Sequence, residues 1–286
     1  MRRLIFNADD FGITAGVNRS ILEAHTRGVL TSATMMANAP ATAPAEELAR
    51  ACPQMSVGCH IVLIDGTPLT DPMRLNSLVP PGQTNFAAGL ATFASRALAG
   101  RLDREQIELE ATAQIRKLQT AGLSLTHFDT HKHTHMFAAV LEGVLRAARA
   151  CGIIAVRNPF EPVETLSATF HHTGGKKRAL QTRLLRLLQA RFLELVKRAG
   201  LLTTDGTIGI AATGTLDAQL LKKLLAVLPE GTWEFVTHPG YSDNELRSTG
   251  TRLLATREIE LGLLTSLETR AQAEQAGIEI ISYREL

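Results

Sequence analysis

The stretch THFDTHKHTH, residues 126–135, holds four of the chain's nine histidines and one aspartate. His127, Asp129, His131, His133 and His135 stand two positions apart. Imidazole and carboxylate ligate divalent metals, and imidazole moves protons near neutral pH. Residues two apart project from one face of an extended backbone, so an extended segment would aim all five side chains to one side. A ring of metal ligands has use for that arrangement; a surface loop has none.

Three other sites carry the same chemistry: the Asp9–Asp10 pair in NADDFG, His60 in GCHIVL, and His238 in THPGY. Each alone has a plainer reading. Most histidines carry no catalytic role, so an isolated His60 reads first as a hydrogen-bonded structural residue. Asp9–Asp10 reads equally well as an N-cap for a helix over 14–27. Their shared placement changes the weighting, because each follows a short apolar run.

Those runs supply the scaffold. RLIF (3–6), LTSATMMA (30–37), MSVGCHIVL (55–63), LSLTHFD (123–129), IIAVR (153–157), TIGIAA (207–212), WEFVTH (233–238) and IEIISY (278–283) read as strands. Helical patterns fall between them, over 14–27, 44–51, 103–121, 138–151, 179–199, 217–227 and 253–275. Strands alternating with helices imply parallel pairing. Some eight strands predict an irregular (β/α) barrel over residues 1–286 as one domain. The stretch 68–89 is the longest irregular one and predicts a loop over the site.

Sites on such scaffolds assemble at the carboxyl ends of parallel strands. Asp9, Asp10, His60, Asp129, His131, His133 and His238 would then converge on one rim. Gly12 permits a sharp turn out of the first strand. Pro239 holds His238 extended, and Gly240 lets the chain bend away. Adjacent Asp9 and Asp10 would face opposite sides of a regular strand, so both enter one site only if the strand ends there.

Composition excludes several classes. At 45% hydrophobic and 20% charged, the 286 residues match an ordinary globular protein able to bury a large core. A net charge of +2 gives no footprint for nucleic acid. Cys52, Cys59 and Cys151 lack CxxC spacing and read as thiols in a reducing compartment. MRRLIFNADD has too short an apolar run for a signal peptide, and no stretch reaches the ~18 apolar residues of a spanning helix. A cytoplasmic protein is expected.

NADDFG, the His60 of GCHIVL, HFDTHKHTHM and THPGY resemble, in order and over nearly the whole chain, the YdjC family of carbohydrate deacetylases. GVLTSATMMANAP and HIVLIDGTPL resemble its hopanoid-biosynthesis-associated branch. The resemblance implies an irregular (β/α) barrel related to polysaccharide deacetylases. It implies metal ligands Asp10, His60 and His131, with Asp9 as catalytic base and His238 as catalytic acid. His133 and Tyr241 become substrate-binding candidates and His135 a residue that caps or orients the loop; Asp129 reads equally as a partner that orients a ligand histidine or as a cap of the turn. It leaves room for a homodimer.

The implied reaction is removal of the N-acetyl group from an acetylated amino sugar, with N-acetylglucosaminyl hopanoid or a chitooligosaccharide as substrate. Zinc suits the nitrogen-rich set, with magnesium, cobalt or iron as alternatives. Asp9 would take a proton from water, and His238, with a pKa in the ordinary histidine range, would protonate the leaving amine. Two rivals remain: an amidohydrolase-type barrel with His131 and His133 as a metal pair, and a catalytically silent metal- or sugar-binding protein.

Residues 174–200 hold eight basic residues and one acid. Leu180, Leu184, Leu187, Leu188, Phe192 and Leu195 form an apolar stripe at helical spacing. An outer barrel helix with a solvated basic face is the first reading. Peripheral contact with an anionic surface such as the inner membrane is the second.

Overall fold

A computed structural model describes residues 1–173 and 175–286; Gly174, the first residue of the basic segment, lies outside them. Nine strands form one parallel sheet: β1 (Arg2–Phe11), β2 (Ser32–Met35), β3 (Ser56–Ile61), β4 (His127–Thr130), β5 (Ala155–Val156), β6 (Leu202–Thr203), β7 (Gly206–Ile208), β8 (Gly231–Thr237) and β9 (Ile278–Ile281). Their order is β6-β5-β4-β3-β2-β1-β8-β7, and β9 pairs with the first half of β1. From Leu4 onward β1 is buried on both faces, as a strand covered by neighbours and helices must be. The irregular parallel barrel expected from the sequence is the fold.

Closure comes from loop residues. Beyond β5, Phe160 accepts from the Thr207 N–H at 3.1 Å, and the Thr207 hydroxyl donates to the Asn158 carbonyl at 2.7 Å. These contacts join the β5 side to β7, so the sheet is nearly closed without a regular ladder there. Gly206 makes the approach feasible, since a Cβ would stand 2.3 Å from the Phe160 carbonyl oxygen and 2.7 Å from the Trp233 ring.

Helices pack around the outside. Ala15–Arg27 buries Val17, Ile21 and Ala24; Arg104–Thr120 buries Ile107, Ala111, Ile115 and Leu118. Both patterns follow the helical period. The pattern read over 253–275 is two helices, Ala255–Thr265 and Leu267–Gln275, because Ser266 caps the second through its hydroxyl. The pattern read over 179–199 is also split, into Lys176–Leu185 and Gln189–Ala199 around a 3-10 turn at Arg186–Leu188. Two-residue β6 is too short for periodicity to reveal. No helix among the described residues is long and apolar enough to cross a membrane.

Gly206→Ala should destabilise the fold by about 1–3 kcal/mol, since overpacking at a backbone approach cannot relax cheaply. A urea titration should show a lower midpoint at an unchanged slope.

Candidate active site

Strand β1 does not end at the aspartates. It continues to Phe11, but the register with β2 slips between Ala8 and Phe11, and Asp10 takes φ +65°. This bulge turns both carboxylates to one rim, which a regular strand cannot do. Gly12 then leaves the strand at φ +104°, and its N–H donates to the Asn18 side chain at 2.8 Å.

Three ligand-type atoms converge there. His60 Nε2 lies 3.2 Å from His131 Nδ1 and 3.6 Å from Asp10 Oδ1, and His131 Nδ1 lies 3.5 Å from Asp10 Oδ1. A tetrahedral ion with bonds of about 2.1 Å has ligand–ligand edges of about 3.4 Å. The triangle therefore has the size of a coordination face. Asp10 Oδ1 is buried and has no hydrogen-bond partner among the described residues. His131 keeps 21% of its side chain exposed, so one side of the triangle faces the rim.

His60 and Asp10 are oriented from behind. Asp129 Oδ1 lies 2.7 Å from His60 Nδ1; with the proton on Nδ1, the Nε2 lone pair faces the triangle. The Thr34 hydroxyl donates to Asp129 and to Asp9, at 3.3 and 3.2 Å. Arg257 holds the second oxygen of Asp10 from a buried position. Gly240 leaves that arginine room, since a Cβ would meet its Cδ at 2.8 Å.

Arg157 is the centre of the cluster. Fully buried, it grips Asp9 with two nitrogens at 2.6 and 3.0 Å, pairs with Asp129, and donates from Nε to Glu234 at 2.8 Å. The Tyr283 hydroxyl donates to the other oxygen of Glu234, and its ring stacks on His127 at a centroid separation of 3.6 Å.

Electrostatics divide these groups. Burial opposes ionisation of Asp9, but Arg157, His60 and His238 override it and hold the carboxyl well below its usual range. Asp10 is likewise lowered, with Arg257 and His131 outweighing burial. Burial disfavours the charged His60, yet Asp129 and Asp9 lift its pKa to about 9. The carboxylates thus draw positive charge into the triangle. Burial of His238 wins over Asp9 and Asp10 and lowers it to about 4. That departs from the ordinary range expected from the sequence.

His238 sits on its Pro-Gly corner with its N–H donating to Glu260 at 2.6 Å and its Nε2 3.8 Å from Asp9 Oδ2. The alternation of the histidine stretch does not survive. Only 127–130 is extended; beyond it the chain coils, with Lys132 and His133 at φ +57° and +53°. The five side chains therefore separate. His127 packs on Tyr283, and His135 bridges the Thr130 hydroxyl and the Arg157 carbonyl at 2.7 and 3.1 Å. His133 stays outside the ligand triangle, with Nδ1 buried and unpartnered among the described residues. The Tyr241 hydroxyl turns to Glu23 on helix Ala15–Arg27.

Sequence reasoning missed Arg157, Arg257, Thr34, Glu234 and Tyr283. Arg157 closes the run IIAVR, where the other site residues also close theirs, so its position was a usable signal. Arg257 lies inside a helix with no such mark.

The sequence pattern described as "YdjC-like protein" matches residues 3–275. The chain belongs to the YdjC-like family. A relative from Geobacillus stearothermophilus, named carbohydrate deacetylase, is 33% identical over 99% of this chain and 98% of its own length. One from Thermoanaerobacter pseudethanolicus, with the same name, is 29% identical over 99% and 98%. Among solved structures, an Enterococcus faecalis protein whose description concerns cellobiose-phosphate cleavage superposes with TM-score 0.81 at 26% identity, over 99% of this chain and 98% of that one. A lactam utilization protein from Thermus thermophilus shares the fold alone, at TM-score 0.51 and 16% identity, over 98% and 99%.

Arg157→Met should cost about 3–5 kcal/mol, because it leaves Asp9, Asp129 and Glu234 buried without their cation. Arg157→Lys should fall between, since ammonium cannot replace the two-pronged grip. Urea unfolding of both variants checks the order.

Proposed function

We propose that this chain is a divalent-metal-dependent hydrolase that removes the N-acetyl group from an acetylated amino sugar. One observation carries the reading: the 3.2–3.6 Å triangle of Asp10, His60 and His131, closed behind by Asp129 and Arg257. The names of the relatives supply the substrate class.

The donor set fits a cation. Four clustered carboxylates (Asp9, Asp10, Asp129 and Glu234) face two guanidiniums, Arg157 and Arg257, and Asp10 Oδ1 has no hydrogen-bond donor among the described residues. Two imidazoles and one carboxylate suit zinc, ahead of magnesium, cobalt or iron. A divalent ion bound there would polarise the acetyl carbonyl and lower the pKa of water from 15.7 towards about 7.

The chain's own residues then move protons. Asp9, kept ionised by Arg157, accepts the proton of the attacking water. His238 is neutral at rest, so it cannot begin as the acid. Its Nε2 lies 3.8 Å from Asp9 Oδ2, so a proton gathered at Asp9 would pass to it, and on to the departing amine, once substrate binding draws the two within hydrogen-bond reach. Each transfer is worth about 10²–10⁴-fold in rate. The motifs GVLTSATMMANAP and HIVLIDGTPL favour N-acetylglucosaminyl hopanoid over chitooligosaccharides as substrate.

The amidohydrolase-type alternative needs His133 beside His131 as a ligand, and His133 lies outside the triangle. Asp10→Ala, His60→Ala and His131→Ala should each lose most bound metal after dialysis, while His133→Ala keeps it. Metal retained in His60→Ala but lost in His133→Ala would reverse the assignment.

Asp9→Asn and His238→Ala should both keep metal yet lower turnover about 10²–10⁴-fold. Acetate and free amine released from the hopanoid and from chitooligosaccharides measure this and identify the substrate. Near-normal turnover by pure Asp9→Asn protein removes the base assignment, and no acetate from any acetylated sugar removes the proposed function.

A further inference from the structure

The apolar stripe of the basic segment does not behave as one buried face. Phe192 and Leu195 pack into the core from helix Gln189–Ala199. Leu180, Leu184 and Leu187 do not: they are 63%, 67% and 79% exposed. Spacings of four and three place these three on one side of helix Lys176–Leu185 and its 3-10 extension. Lys176 and Arg183 fall on the same side by the same spacings, and both are exposed. Over 176–188 the chain carries Lys176, Lys177, Arg178, Arg183 and Arg186 and no acid.

Two of these cations have structural work. Arg178 donates to the Ile210 and Thr213 carbonyls, and Arg186 to the Glu161 carbonyl at 2.6 Å. Both targets lie just beyond the carboxyl ends of β7 and β5. The helix is therefore tied to the rim that carries the active site. Among the described residues Lys176, Lys177 and Arg183 have no ion-pair partner, and Lys176 stands 5.9 Å over the ring of half-exposed Phe170.

We propose that this face docks on an anionic lipid bilayer, with Leu180, Leu184 and Leu187 entering the headgroup boundary and Lys176, Lys177 and Arg183 among the acidic headgroups. Leucines protruding between unpaired cations are what an interfacial helix presents to such a surface. A second copy of the chain fits worse, because a two-fold contact would set each basic face against its own kind. Docking would turn the active-site rim towards the membrane and so towards a lipid-carried substrate, the part of the idea that rests on the proposed function.

The test is flotation of the whole protein with phosphatidylcholine vesicles, with and without phosphatidylglycerol, at about 0.1 M and about 1 M salt. Binding is expected on the acidic vesicles at low salt and should weaken at high salt. Leu184→Ser/Leu187→Ser and Lys176→Gln/Arg183→Gln should each cut partitioning about tenfold or more. All four positions are exposed, so near-ultraviolet circular dichroism should match wild type. Flotation reads no turnover, so it stands whether or not acetate is released. Wild type that fails to float with acidic vesicles, or variants that float as well as wild type, would overturn the proposal. A leucine variant that shifts from dimer to monomer by sedimentation would also overturn it and give the face to self-association.

Discussion

A guanidinium with no access to water must be neutralised where it stands, and the site is organised around that requirement. Arg157 draws Asp9 from β1, Asp129 from β4 and Glu234 from β8 to one point inside the barrel. Isolated, such a charge would cost many kcal/mol to bury, and the paired network still adds little net stability. What it fixes is geometry. Asp9 is held by two nitrogens and cannot rotate, and Asp129 is held so that its free oxygen meets His60 Nδ1. One buried cation thus sets both the proposed base and the tautomer of a proposed ligand.

The backbone shows where this geometry departs from the local optimum. Among the described residues, the non-glycine positions with positive φ are Asp10, Asp65, Lys132 and His133. Each such residue costs about 1–3 kcal/mol and persists only where its surroundings over-determine it. They do so here. Arg257 grips Asp10, and Lys132 pairs with Asp65, whose other oxygen accepts the Gly89 N–H at 3.1 Å. That pair ties the loop after β3 to the histidine turn, so the strain gathers around the triangle and its rim.

Much of this was legible in the sequence because strand ends are legible. Apolar runs located all the site strands, and the reactive residues closing them gave the rim. Alternation across 127–135 suggested one face, and this failed for a physical reason. Period two holds only while the chain is extended, and two left-handed residues after Thr130 break it. The Asp9–Asp10 problem had the right form and another solution, since the strand bulges where it was expected to stop. Arg257 stayed hidden because a helix interior gives no hint that one of its residues reaches across to β1. The leucine stripe misled in the opposite sense. Helical spacing says which residues share a face, and cannot say whether that face meets core or solvent.

Asp9 and His238 lie 3.8 Å apart, the aspartate with 4% and the histidine with 12% of its side chain exposed, yet their resting states are opposite in charge type: one ionised, one neutral. The difference follows from their partners. Asp9 has a guanidinium on both oxygens, whereas His238 is held through its backbone by Glu260 and leaves its ring without a fixed counter-ion. Burial then decides the histidine, and Arg157 decides the aspartate. Neighbouring groups whose environments push their proton affinities apart form an acid–base pair with a built-in direction. In the proposed reaction the proton starts at neither group, so the imidazole would become an acid only after the carboxylate has acted as a base.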